Sequence, residues 1–177
     1  MIRLKQILLE ISQSEIDKLL NKIQEKQFRL FGQGDNGRVY EIDGEDFLFK
    51  ITDEPAEYEV ASKIVNQYTK YSTFIPVYYV DGKNMYIMAR ANELPGTIKL
   101  RLEKFISGYK QFAKSEGGEV SIFDFLDTIN TQDTITNFIS ALQQDINKMS
   151  IPDLDLDLDF KLDNIMQWNG QLVMIDW

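Results

Sequence analysis

Gly32-Gln33-Gly34-Asp35-Asn36-Gly37-Arg38-Val39 sets three glycines in a GxGxxGxV pattern between two short runs of strand character, Phe28 to Gly32 and Arg38 to Ile42. Glycine lets a backbone come close to anionic oxygens, and a strand-turn-strand setting turns successive amides toward them. An ordinary glycine-rich hairpin would have the same sequence. A dinucleotide-binding βαβ unit is disfavoured, because the residues that follow read as a strand where that motif requires a helix.

Working outward, Phe47 to Ile51 follows the Asp43-Gly44 turn signal as a third antiparallel strand, with Lys50 near its end. A lysine there can reach phosphate oxygens if a carboxylate holds its ammonium group in place. Glu54 to Tyr68 supplies such a carboxylate on a helix, with Pro55 in the first turn and Ala61, Ile64, Val65 and Tyr68 on one apolar side. Glu57 is the better holder, since Ala61 and Ile64 follow it at four and seven residues; Glu59 is the alternative. Taken singly, Lys50 reads equally well as a solvent lysine, and either glutamate as a surface acid.

Upstream, Ser12 and Ser14 are candidate caps for a helix to about Gln24, with Ile16, Leu19, Leu20 and Ile23 at helical spacing, an accessory element packed on the sheet. Downstream, Phe74 to Val80 and Asn84 to Ala91 form a strand pair around Asp81-Gly82. Leu94-Pro95-Gly96-Thr97 then breaks the pattern and links two lobes, residues 1–93 and 94–177. The second lobe is mainly helical. Leu102, Phe105, Ile106, Tyr109 and Phe112 mark one helix before Gly117-Gly118, and Ile122 to Ile129 a short one. Ile135, Phe138, Ile139, Leu142, Ile146 and Met149 mark a third, with the strongest apolar stripe in the chain. Past Pro152, alternating Asp and Leu from Asp153 to Asp159 fit an extended segment with its acids on one side, or an exposed calcium-like loop. Leu172 to Ile175 reads as a buried final strand.

Composition narrows the chemistry. With 44% apolar and 12% aromatic residues in 177, the chain has the makings of a folded core. Its 28 acidic against 19 basic residues, net charge -9, argue against nucleic acid as a partner. No Cys and no His are present, which removes disulfides, thiolate nucleophiles, imidazole bases and the usual zinc sites. A metal would have to take oxygen ligands, as magnesium prefers. No apolar run reaches the length of a membrane span, and Met1 to Gln13 lacks an ordinary signal peptide's apolar segment.

The distal cluster joins these pieces. Asp159-Phe160-Lys161-Leu162-Asp163-Asn164 has the form D-x-K-x-x-N, and Asp176-Trp177 follows the apolar run Leu172 to Ile175. In the order glycine loop, lysine, helical glutamate, D-x-K-x-x-N and terminal Asp, residues 28–177 resemble the protein-kinase-like superfamily. The resemblance implies an α+β, minimal bilobal fold, with an antiparallel sheet N-lobe and a reduced, mainly helical C-lobe. It implies an ATP- and magnesium-dependent phosphotransferase in which Gly32, Gly34, Gly37 and Val39 cover the nucleotide and Lys50, held by Glu57, meets its phosphates. Asp159 would orient the acceptor hydroxyl and receive its proton, Lys161 would approach the transferring phosphate, and Asn164 and Asp176 would hold Mg2+.

The departures bear on the acceptor. Asp157-Leu158-Asp159 stands where the family carries His-Arg-Asp or His-Gly-Asp, so no arginine is there to receive an activation-loop phosphate. Asp176-Trp177 resembles the aminoglycoside and choline kinase branch, whose acceptors are small molecules. Arg90 to Thr97 resembles the hinge side of minimal bacterial effector kinases, and no activation segment or APE motif follows Asp176. The shortness favours the effector branch. The expectation is therefore a minimal Ser/Thr protein kinase with a protein substrate or regulatory partner. It would be cytoplasmic, or exported to a host cell without a signal peptide. A small-molecule phosphotransferase and a catalytically inactive ATP-binding or interaction module are the alternatives.

Overall fold

In the computed structural model, which describes residues 11–118, 120–129, 131–149 and 160–176, the glycine stretch is the tip of a hairpin. β1 (Phe28–Gly34) and β2 (Gly37–Ile42) pair antiparallel up to Gly34 opposite Gly37, which leaves Asp35 and Asn36 as the turn. A bulge between Leu30 and Gly32 gives Phe31 no partner in the register. β3 (Phe47–Thr52) pairs with β2, β5 (Met85–Ala89) with β3, and β4 (Val77–Val80) with β5. The result is a five-stranded antiparallel sheet of order β1-β2-β3-β5-β4.

The pleat sorts this sheet into an apolar face and a partly polar one. Phe49 of β3 packs with Leu19, Ile42 and Ile87. Leu19 comes from α1 (Gln13–Gln24), whose start is fixed by a capping box between Ser12 and Glu15. Lys50, the next residue, turns to the other face and meets α2 (Pro55–Ile64), which buries Glu57, Val60, Ala61 and Ile64. The helix stops at Ile64, short of the expected Tyr68, because Val65 is extended and Asn66 takes a left-handed φ of 56° to donate its N–H to the Val77 carbonyl. These elements form one unit, residues up to Tyr71 together with Ile75–Arg90.

The second unit comprises Ser72–Phe74 and the residues from Ala91 on. Its helices are α3 (Gly96–Ser115), α4 (Ile122–Thr128) and α5 (Thr134–Met149), and all six residues of the α5 stripe are buried. α3 begins inside the expected linker, with Pro95 as its N-cap; Gly117 and Gly118 beyond its end both have positive φ, as a helix break requires. A 3-10 turn (Leu162–Asn164) leads into a hairpin of β6 (Ile165–Trp168) and β7 (Gln171–Met174). The segment Ser72–Phe74 is tied here by Thr73, whose N–H and hydroxyl lie 3.1 and 2.9 Å from Asp145 Oδ2 and whose carbonyl accepts from Met174 N–H. The expected α+β class, antiparallel sheet followed by mainly helical unit, is the one observed. Asp153 to Asp159, Pro152 and Trp177 lie outside the described residues. Among those described, no helix is long and apolar enough to cross a membrane.

Two charged contacts make acid stability predictable. Glu45, in the β2–β3 turn, holds Lys18 and Lys22 of α1 at 2.7 and 2.6 Å, and these hydrogen bonds lower its pKa below the ordinary 4.5. A depressed carboxylate stabilises the fold above pH 4.5, and that contribution disappears as pH falls through the native value. Glu45→Gln should therefore lower the melting temperature at neutral pH, and its gap from wild type should narrow progressively as the pH falls below 4.5 in a thermal-unfolding series.

A Cβ at Gly37 would collide with the Ile51 carbonyl oxygen, whereas one at Gly32 or Gly34 would meet no atom within 4 Å. In denaturant titrations, Gly37→Ala should cost about 1–3 kcal/mol, as overpacking does. Gly32→Ala and Gly34→Ala should be neutral or stabilising by up to about 1 kcal/mol.

Candidate functional site

Antiparallel pairing places Gly32 opposite Val39, Val39 opposite Lys50 and Lys50 opposite Tyr86. Directly opposed residues share a face of the sheet, so three of the residues singled out in the sequence lie in one cross-strand row. The row ends on α2. Lys50 Nζ lies 2.5 Å from Glu57 Oε1, with the lysine 5% and the glutamate 1% exposed. The Tyr86 hydroxyl donates to the same oxygen at 2.5 Å, and the Thr52 hydroxyl donates to Oε2 at 2.6 Å. Among the described residues, no buried side-chain nitrogen or oxygen lacks a hydrogen-bond partner. Glu59 is exposed, so the helical spacing chose the glutamate that turns inward.

The glycine hairpin above this row is held by β3. Asn36 in its turn accepts from the Asp53 N–H at 2.9 Å, and its carbonyl lies 3.1 Å from the Thr52 hydroxyl. Gly37 is buried against β3, while a Cβ at Gly32 or Gly34 would meet no atom within 4 Å. None of the three has a positive φ. At two positions the hairpin therefore carries no side chain between its backbone and the space beside it, the condition under which an anionic group can come close to a strand-turn-strand backbone.

The second unit places Asn164 and Asp176 at one end of its hairpin. Asn164 closes the 3-10 turn, and its carbonyl accepts from Ile175 N–H at 2.9 Å, one residue before Asp176. Two side-chain oxygen donors therefore stand on adjoining backbone, both half-buried. A carboxylate and an amide oxygen suit magnesium, which takes one or two such protein ligands and fills its octahedron with phosphate oxygens and water. Lys161 is exposed at the start of the turn. Asp159 lies outside the described residues. Glu93, Leu94, Lys99, Leu162, Asp163, Ile165 and Met166 line a hollow of about 230 Å3. Asn92 and Gln167 exchange reciprocal backbone hydrogen bonds, 2.8 and 2.9 Å, that fix the hollow's linker side to β6.

No protein-family model matches the chain, and no curated protein matches it. Among solved structures, a chain of the streptomycin-ATP-APH(2")-IIa ternary complex is similar at 12% identity and a TM-score of 0.36, covering 95% of this chain and 71% of that one.

Thr52 and Tyr86 are residues of the Lys50–Glu57 cluster that the sequence reading did not single out. Thr52 was within reach, being two residues from Lys50 and hence on the same face. Tyr86 was not, because it meets Lys50 only through the pairing of β3 with β5, which are not consecutive strands.

Removing one member of a buried ion pair strands the other charge. Lys50→Met should lower unfolding free energy by about 3–5 kcal/mol. Lys50→Met combined with Glu57→Gln, which removes both charges, should recover more than half of that loss in urea titrations.

Proposed function

We propose that the chain is an ATP- and magnesium-dependent phosphotransferase acting on a hydroxyl group, with a Ser or Thr side chain of a protein as the acceptor. The observation that carries this reading is the buried Lys50–Glu57 pair at the end of the row Gly32, Val39, Lys50. A structural ion pair needs no glycine hairpin over it. A lysine that must offer one fixed ammonium to phosphate oxygens needs both a carboxylate to hold it and open backbone nearby.

In this reading Lys50 meets phosphate oxygens with its charge, and the lack of side chains at Gly32 and Gly34, where a Cβ would meet no atom, lets those oxygens come close to the hairpin backbone. Asn164 and Asp176 hold the metal. Magnesium, when bound, neutralises charge that builds on the phosphoryl oxygens. Asp159 orients the acceptor hydroxyl and takes its proton, and Lys161 approaches the transferring group; these two roles rest on the D-x-K-x-x-N pattern. The chain has no His or Cys, so the base is a carboxylate; of Asp159 and Asp163 in the motif the pattern assigns it to Asp159, and no covalent enzyme intermediate is invoked. A small-molecule hydroxyl is the second reading, favoured by Asp176-Trp177, whose pairing resembles that of the aminoglycoside and choline kinases.

The test is transfer of the terminal phosphate of radiolabelled ATP, with and without magnesium, to a protein mixture and to a panel of small hydroxyl and amino compounds. Transfer should require magnesium, and Asp159→Asn and Asp176→Asn should each reduce it at least about 100-fold. Label on protein selects the first reading, and label on a small compound the second. Undiminished transfer in both variants would remove the assigned mechanism.

A further inference from the structure

Resting on the nucleotide reading above, we infer that Thr52 and Tyr86 are positioning residues: through Glu57 they hold the Lys50 ammonium in one place before any ligand arrives. Lysine and glutamate side chains are long, and a two-member pair between a strand and a helix can pivot as the helix shifts. Here both oxygens of Glu57 are fixed to the sheet. Oε1 accepts from Tyr86 on β5 as well as from Lys50, and Oε2 accepts from Thr52 on β3. Tyr86 is 0% and Thr52 1% exposed, so water does not compete for these donors.

Thr52 does more than bind the carboxylate. Its hydroxyl accepts from the Glu54 N–H, ahead of α2, at 3.0 Å and lies 3.1 Å from the Asn36 carbonyl in the glycine turn. One oxygen therefore touches the hairpin tip, the approach to the helix and the carboxylate. That arrangement couples the position of the glycine backbone to the position of Lys50, the two parts of the chain that must face the same phosphates. A site ordered in advance does not spend binding energy on ordering itself.

Three variants separate this role from mere packing. Thr52→Val keeps the volume and deletes the hydroxyl, Tyr86→Phe keeps the ring, and Thr52→Ser keeps the hydroxyl. The first readout needs no nucleotide: labelling of Lys50 by a small amine-reactive reagent, followed by peptide mass spectrometry, with exposed Lys83 as the internal reference. Circular dichroism establishes that each variant is folded; if Thr52→Val does not fold, Tyr86→Phe carries the test.

Lys50 labelling should rise at least about threefold in Thr52→Val and Tyr86→Phe, and Thr52→Ser should return it to the wild-type rate. In the second readout, the KM for ATP should rise about three- to tenfold in the first two variants with kcat little changed, because a lost preorganisation weakens ground and transition states alike. Wild-type labelling of Lys50 in folded Tyr86→Phe overturns the inference. Faster labelling in a protein that binds no ATP upholds the brace and removes the nucleotide reading instead.

Discussion

Glu57 is a carboxylate with 1% of its surface exposed, and few groups are costlier to bury. Its burial is tolerated because three donors converge on it, and those donors dictate much of the first unit. Lys50 and Thr52 must sit two residues apart on one strand, Tyr86 must stand opposite Lys50, and α2 must lie across that face. A slip of one residue in β3 would turn Lys50 to the other side. There it would replace Phe49 against Leu19, Ile42 and Ile87, a cluster whose members among the described residues are all apolar. Charge burial on one face and aromatic packing on the other therefore specify the same register.

The apolar face is the simpler half of that constraint. Phe28, Tyr40 and Phe49 pack as neighbouring rings, with Tyr40 and Phe49 stacked at 4.8 Å between centroids and Phe28 edge-on to both. α1 covers this side through Leu19, and Glu45 clamps it from the β2–β3 turn through Lys18 and Lys22. Thus the helix expected from its spacing to be an accessory element closes the core. The strands that carry Val39 and Lys50 are held from behind by this packing, which leaves their other face to polar work.

What the sequence disclosed follows from how local each cause is. The strands β1 to β5 announced themselves by period two and by Asp43-Gly44 and Asp81-Gly82; α1 did so by Ser12 and Glu15. Glu57 rather than Glu59 was readable because helical spacing from Ala61 and Ile64 is a local rule. β6 was missed although Asn169-Gly170, with φ of 47° and 80°, is a strong hairpin signal between Ile165–Trp168 and Gln171–Met174. The other misses have distant causes. Asn66 ends α2 by bonding to Val77, and Thr73 joins the second unit through Asp145, 72 residues away. Neither partner is visible in a local window.

The three glycines of the opening stretch show how far geometry can divide structure from function. Gly37 is accounted for by packing alone, since β3 leaves no room for a Cβ. Neither Gly32 nor Gly34 has a positive φ, and a Cβ at either would meet no atom within 4 Å, so a side chain could be added at both without a clash. Glycine in a strand instead costs about 0.5–1 kcal/mol relative to alanine. At Gly34 no clash or positive φ offsets that cost, and at Gly32 the neighbouring bulge is the structural feature beside it. A ligand that must approach the backbone would offset it, and it would do so in the row that ends at Lys50. In the reading proposed above, the absence of side chains at Gly32 and Gly34 and the held ammonium at Lys50 would serve one bound polyphosphate, although Lys50, unlike the two glycines, also has a part in setting the register.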